Sequence, residues 1–258
     1  MELVDTHAHL DWRSFKDDLP QVIANACNAG VTRVITVGAS LERSRKAIEI
    51  ARTYTGVYAA VGIHPNDLSA IADRDWDALA ELAGLPEVVA VGETGLDFYR
   101  DGSPRELQSR YFLKHLDLAR AAGKPAVLHI RDAAQDALKL LEGRAGDGVS
   151  LVWHCFSGNA RDAARAVALG MSFSVGGSLT YRGNDDLRKA VAGIPPDRLM
   201  LETDCPFLTP EPHRNTVRRN EPALVVHVLG VLARLMGMSE EDAATVTTAN
   251  AGRVFKLA

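Results

Sequence analysis

Four histidines and two carboxylates in this chain stand at the ends of short apolar runs, and together they have the chemistry of metal ligands. Asp5, His7 and His9 are spaced two apart at the end of the first such run. Side chains alternate across an extended strand, so all three can point to one side. Glu93 follows VVAVG, His129 ends PAVLH, His154 ends SLVWH, and Glu202 and Asp204 are again two apart after LML. Neither helix capping nor core packing selects histidine at such positions. Imidazoles with a few carboxylates suit borderline divalent cations such as Zn, Mn, Fe, Ni or Co, without excluding Mg. The six groups His7, His9, Glu93, His129, His154 and Asp204 exceed what one catalytic zinc keeps, because it leaves a position open. Two divalent cations about 3.5–4 Å apart, bridged by one carboxylate, use the set economically, and Glu93 is the natural bridge because it comes from the middle strand. Such a pair lowers the pKa of a shared water and clamps the oxygens of a displacement at phosphorus, so hydrolysis is expected. Asp5 reads as a hydrogen-bonding support, His115 and His227 as mid-helix residues, and His213 as a loop residue open to either role.

Something must bring these residues together. Short β-rich runs recur along the chain: Leu3–Thr6, Arg33–Val37, Val57–Gly62, Val88–Gly92, Ala126–His129, Leu151–His154, Met171–Ser174 and Leu199–Glu202. Only Met171–Ser174 alternates clearly; most of the others read as buried on both faces, as parallel strands are. Helical patterns lie between them, among them Leu19–Ala29, Leu41–Tyr54, Arg105–Ala122 and Ala160–Leu169. Strands alternating with helices predict an α/β fold, a (β/α)8 TIM barrel, with the stretch from Pro222 onward forming two or three helices that close it. A doubly wound open sheet shows the same alternation, but no Gly-rich phosphate fingerprint follows the first strand. In a parallel barrel all strand C-termini open on one face, so the six groups, drawn from five strands, would converge on one rim.

Composition agrees with this picture. The chain has 258 residues, 47% of them hydrophobic and 24% charged, which suits one barrel domain spanning residues 1–258. With 29 Lys plus Arg against 33 Asp plus Glu, the formal charge of −4 excludes a broadly basic nucleic-acid-coating protein but leaves room for a local basic patch. Three scattered cysteines exclude a disulfide framework. No signal-peptide pattern opens the chain and no run approaches about 18 apolar residues, so a cytoplasmic protein without a membrane partner is expected. A monomer is expected too.

At these residues the chain resembles the TatD family of metal-dependent deoxyribonucleases, within the amidohydrolase-like barrels. The motifs arrive in order: DTHAHLD (Asp5–Asp11), GIHP (Gly62–Pro65), VGETGLDFYR (Val91–Arg100), LHIRDA (Leu128–Ala133), WHCFSG (Trp153–Gly158), ETDCP (Glu202–Pro206) and RNEP (Arg219–Pro222). The resemblance implies that His7, His9, Glu93 and Asp204 hold one metal and that Glu93, His129 and His154 hold the other. It implies that Asp204 takes a proton from the attacking water or orients it, that Glu202 is an auxiliary group, and that His64 reaches the scissile phosphate or leaving oxygen. The implied activity is phosphodiester hydrolysis of DNA, from a 3′ end and with single strands preferred, with RNA as a further candidate and DNA repair as a setting. The chain departs from the family pattern at Ala8, where cysteine is common, and in the longer segment Pro212–Pro222.

Phosphate neutralisation cannot come from the net charge, so local groups must supply it. Arg214, Arg218 and Arg219 cluster after the eighth strand, and Arg100, Arg131 and Arg182 lie in other loops expected on the same face. Phe98, Tyr99 and Phe156 are candidates to stack on a terminal base. Two alternatives remain: a two-metal barrel hydrolase of a small ester, lactone, amide or phosphotriester, and a non-catalytic metal-binding scaffold. Many barrels of the first kind bridge their metals through a modified lysine on strand four, where this chain has Glu93. A mononuclear deaminase is a weaker variant, because it leaves Glu93 without a role.

Overall fold

In the computed structural model, which describes residues 1–144 and 146–257, eight parallel strands form one sheet in consecutive order. They are β1 (Leu3–Ala8), β2 (Val31–Gly38), β3 (Val57–Val61), β4 (Val88–Asp97), β5 (Ala126–Arg131), β6 (Leu151–Trp153), β7 (Ser172–Val175) and β8 (Leu199–Leu201). Helices α1 (Leu19–Asn28), α2 (Leu41–Thr53), α3 (Asp73–Ala83), α4 (Arg105–Ala122), α5 (Ala134–Glu142), α6 (Ala160–Ala168) and α7 (Asp185–Ala192) connect them. Two more, α8 (Val225–Met236) and α9 (Glu240–Phe255), complete the chain. The architecture is the expected (β/α)8 barrel.

Two features of the ring bear on the site. The gap between β8 and β1 is bridged just past β8, where Ala8 pairs with Cys205 and the His9 amide donates to the Cys205 carbonyl at 2.8 Å. The end at which the strands begin is stoppered by α9: Ala251, Val254 and Phe255 pack with Val4, Ile35, Val37, Ala60, Ala90, Val127, Val152 and Met200 inside the barrel. Water is thereby kept to the opposite, C-terminal mouth. No single helix among the described residues is long and apolar enough to cross a membrane.

Strand β4 departs from expectation by running five residues beyond Gly92, which puts Glu93 inside the strand rather than after it. Its glycines allow this. Gly95 has φ 140°, and a Cβ there would lie 2.0 Å from the His129 carbonyl oxygen on β5. Only a residue without a side chain lets the two strands approach so closely.

The mid-helix His115 also has a structural task. Fully buried on α4, it donates from Nδ1 to the Tyr111 carbonyl at 2.7 Å and accepts at Nε2 from the Ile63 amide at 3.1 Å. It thus pins the loop that carries His64. Burial lowers its pKa from 6.5 to about 4, so the folded chain resists a proton that the unfolded chain accepts. Stability should therefore fall as pH drops from about 6.5 toward 4, by up to roughly 3 kcal/mol from this group. Urea unfolding of wild type and His115→Gln across that range should show a shallower decline for the variant. Parallel declines would contradict the assignment.

Candidate metal centre

The polar floor of the mouth is built from residues that strand alternation turns inward. His7 lies on β1 and His9 directly after it, Glu93 and Asp97 on one side of β4, and His129 on β5. His154 and Asp204 follow β6 and β8. Glu93 is 3% exposed and lies between two groups of donor atoms. Its Oε2 is 3.6 Å from His7 Nε2 and 3.7 Å from His9 Nε2, and Asp204 Oδ1 lies 3.7 and 3.4 Å from the same two nitrogens. Its Oε1 is 2.8 Å from His129 Nδ1 and 2.9 Å from His154 Nε2, with those two nitrogens 3.4 Å apart.

The residues present fit a cation. Donors placed tetrahedrally about an ion at about 2.1 Å are about 3.4 Å apart, close to the spacing around His7, His9, Glu93 and Asp204. Both nitrogens of His7 are buried without a hydrogen-bond partner, as are His154 Nδ1 and Glu202 Oε1. Such groups are costly to bury unless something else engages them.

Neighbouring groups set the direction that two of the imidazoles face. His9 Nδ1 lies 3.0 Å from the Val37 carbonyl, which makes it the donor and leaves Nε2 free toward Glu93 and Asp204. His129 Nε2 lies 3.2 Å from Asp97 Oδ2 and leaves Nδ1 toward Glu93. Asp97 is held in turn by the Asn66 side-chain amide at 2.8 Å and by the amides of Tyr99 and Arg100 at 3.0 and 3.1 Å. Burial alone would raise its pKa, but hydrogen bonds from His129 and then Asn66 outweigh this and hold the carboxyl below its usual range. The sequence reading did not single out Asp97 or Asn66. Extending β4 by its period of two would have reached Asp97.

His64 sits at the edge of the second group, with Nε2 3.7 Å from Glu93 Oε1. The Asn66 amide donates to its Nδ1 at 3.1 Å, and burial lowers its pKa to about 4. At neutral pH it is therefore uncharged, with its proton on Nε2. Glu202 is fully buried behind His154, its Oε1 3.7 Å from His154 Nδ1, and its other oxygen accepts from the Ser174 hydroxyl. With His7 and His154 it forms a buried group whose donor atoms lie within 4.8 Å of one another. Asp5, as a support, accepts from the Thr203 amide at 2.9 Å and the Thr203 hydroxyl at 2.5 Å, tying β1 to the segment that carries Asp204. Burial raises its pKa to about 7 against the pull of those bonds.

The expected substrate contacts separate into two kinds. Arg100, Arg131, Arg214 and Arg218 are exposed. Arg131 lies over the Tyr99 ring at 4.0 Å and Arg214 over the Tyr181 ring at 3.8 Å. Arg219 is not among them: its side chain is 9% exposed and is occupied by the Ser14 carbonyl, Asp18 and Glu221. Phe98 is half-buried beneath the Arg105 guanidinium at 4.1 Å. Phe156 is core, packed edge-on against Trp153 and Phe173. Only Tyr99 of the three aromatic candidates is exposed.

A barrel with imidazoles and carboxylates at its C-terminal mouth defines the class of metal-dependent hydrolases. The TatD related DNase family profile matches residues 4–256. The chain is 38% identical over 255 residues to the uncharacterized metal-dependent hydrolase YabD of Bacillus subtilis, covering 99% of each. It is 37% identical over 256 residues to the 3′-5′ ssDNA/RNA exonuclease TatD of Cronobacter sakazakii, covering 98% of this chain and 97% of the other. The crystal structure of YJJV, a TatD homolog from Escherichia coli K12, superposes with a TM-score of 0.93 at 30% identity, over 99% of this chain and 98% of that one. The chain belongs to the TatD family of metal-dependent hydrolases.

Replacing Asp97 with Asn removes the charge that orients His129 while preserving size. Metal titration should show affinity for the His129 group lowered by about 10- to 100-fold, with thermal stability little changed. Unaltered affinity would contradict the orienting role.

Proposed function

We propose that this protein is a DNase that uses two divalent cations to hydrolyse phosphodiester bonds, trimming single-stranded DNA from its 3′ end, with RNA as a further substrate. The observation that carries the reading is the division of Glu93, one oxygen toward His7 and His9 and the other toward His129 and His154. The Cronobacter relative supports the substrate class. His7, His9, Glu93 and Asp204 would hold one ion, and Glu93, His129 and His154 the other; Mg, Mn, Zn, Fe, Ni or Co fits the mixed nitrogen and oxygen donors. Cations held there would polarise a phosphoryl oxygen and acidify water.

The remaining roles follow from this chain's own residues. The Asp204 side chain keeps 14% exposure, where it can accept a proton from, or orient, the attacking water. His64, neutral with its proton on Nε2, donates a hydrogen bond to a phosphoryl or leaving oxygen. Glu202 positions His154. Arg131, two residues past His129 and exposed beside Tyr99, takes the phosphate next to the cleaved one, and Arg100, Arg214 and Arg218 add to the positive rim. Arg219 has no part in binding, and Phe98 serves as packing.

Purified protein given Mg or Mn should release mononucleotides from the 3′ end of labelled single strands, and a chelator should stop it. Glu93→Ala should lower the rate by at least about a thousandfold, because both donor groups lose a member. Arg131→Ala should raise KM and flatten the salt dependence of binding by about one unit of slope. Turnover of small esters or lactones with no nucleotide release would overturn the reading.

A further inference from the structure

Among the described residues, two aromatic side chains are exposed: Tyr99 at 62% and Phe207 at 41%. An isolated exposed phenylalanine needs no explanation. Phe207, however, lies three residues past Asp204 and is presented beside the site. Its ring meets His9 edge-on at 5.9 Å between centroids, and Trp12 edge-on at 5.1 Å. His9 is the imidazole whose Nε2 faces Glu93 and Asp204. Trp12 is braced on another side by the Arg43 guanidinium, 4.7 Å from the ring centre, and Asp11 fixes that guanidinium through two bonds of 2.6 and 2.9 Å.

The backbone beneath Phe207 is held as firmly. Its amide donates to the Asp204 carbonyl at 3.0 Å, and its own carbonyl accepts from the Asn220 side-chain amide at 2.7 Å. The same Asn220 amide reaches the Thr203 carbonyl at 2.8 Å, so one buried side chain staples both ends of the segment carrying Asp204. Phe207 is thus an apolar ring in fixed register with the Asp204 carboxylate, open to water on the side its neighbours leave free.

We propose that Phe207, backed by Trp12, is the platform on which the base of one of the two nucleotides joined by the scissile phosphate stacks. This rests on the nuclease reading of the site. A phosphate seated at His9 and Asp204 carries its flanking nucleosides within reach of this ring. Every base offers a π-face, so the contact tolerates any sequence. A base can leave its neighbours for such a surface only from a single strand or a frayed end, so the platform also selects against intact duplex.

The test compares kcat/KM on three single-stranded oligonucleotides: unmodified, abasic at the 3′-terminal nucleotide, and abasic at the penultimate one. Wild type should prefer the unmodified strand over one of the abasic strands by about tenfold or more. In Phe207→Ala and Phe207→Leu that ratio should shrink toward one, and Phe207→Trp should restore it. The ratio is internal to each variant, so a partly misfolded preparation does not mimic the effect. A ratio unchanged in the Ala and Leu variants would overturn the proposal and leave Phe207 as packing around His9. Absence of nucleotide release by wild type from all three strands would instead overturn the nuclease reading itself.

Discussion

The site depends on one buried carboxylate. Glu93 lies above an apolar barrel interior, where an unpartnered charge costs several kcal/mol. Imidazoles on both sides make it tolerable: His129 and His154 within hydrogen-bond distance of one oxygen, His7 and His9 facing the other. Burial pulls its pKa upward, but the charge on His154 and the hydrogen bonds from His129 and His154 hold it well below the usual carboxylate range. The carboxylate is thus kept ionised, and the nitrogens are kept turned toward it. An arrangement that satisfies Glu93 in this way also gathers the candidate cation ligands from β1 and the residue after it, β4, β5 and the segments after β6 and β8.

Around it stands a ring of residues whose work is to hold the ligands in place. Asp97 fixes His129, and Asn66 joins Asp97 to His64 through its side chain and its amide. His115 reaches from α4 to pin the His64 loop, and Asp5 ties β1 to Thr203. Asp204 itself has a left-handed backbone, with φ 55°, which a non-glycine residue adopts only when its surroundings require it. Its amide donates to the His7 carbonyl, and Asn220 clamps the segment from both ends. Closure of the barrel and placement of Asp204 are therefore the same set of bonds.

The parts legible in the sequence were those that a local rule reaches. Alternation along a strand put His7 and His9 on one side, and the order of apolar runs and helical stretches gave the barrel. Other parts depend on contacts that no local rule encodes. The apolar run stops at Gly92, whereas glycines let β4 press against β5 and continue to Asp97. Arg219 read as a free loop cation, yet its partners Ser14 and Asp18 lie some 200 residues away in the chain. Phe156 and Phe98 could not be told from stacking residues until the elements covering them were known. Phe207 gave no periodic signal, because its position comes from Asn220 and Trp12 rather than from a strand or helix.

The proposed sharing of Glu93 between two ions would tie fold to chemistry, and electron paramagnetic resonance of the protein loaded with manganese tests it most directly. If Glu93 joins two ions, the loaded protein should give the broad spectrum of an exchange-coupled pair, replaced by isolated-ion lines or by none when Glu93 is changed to Ala. A wild-type spectrum showing only uncoupled six-line manganese at full loading would contradict a site built on a bridging Glu93.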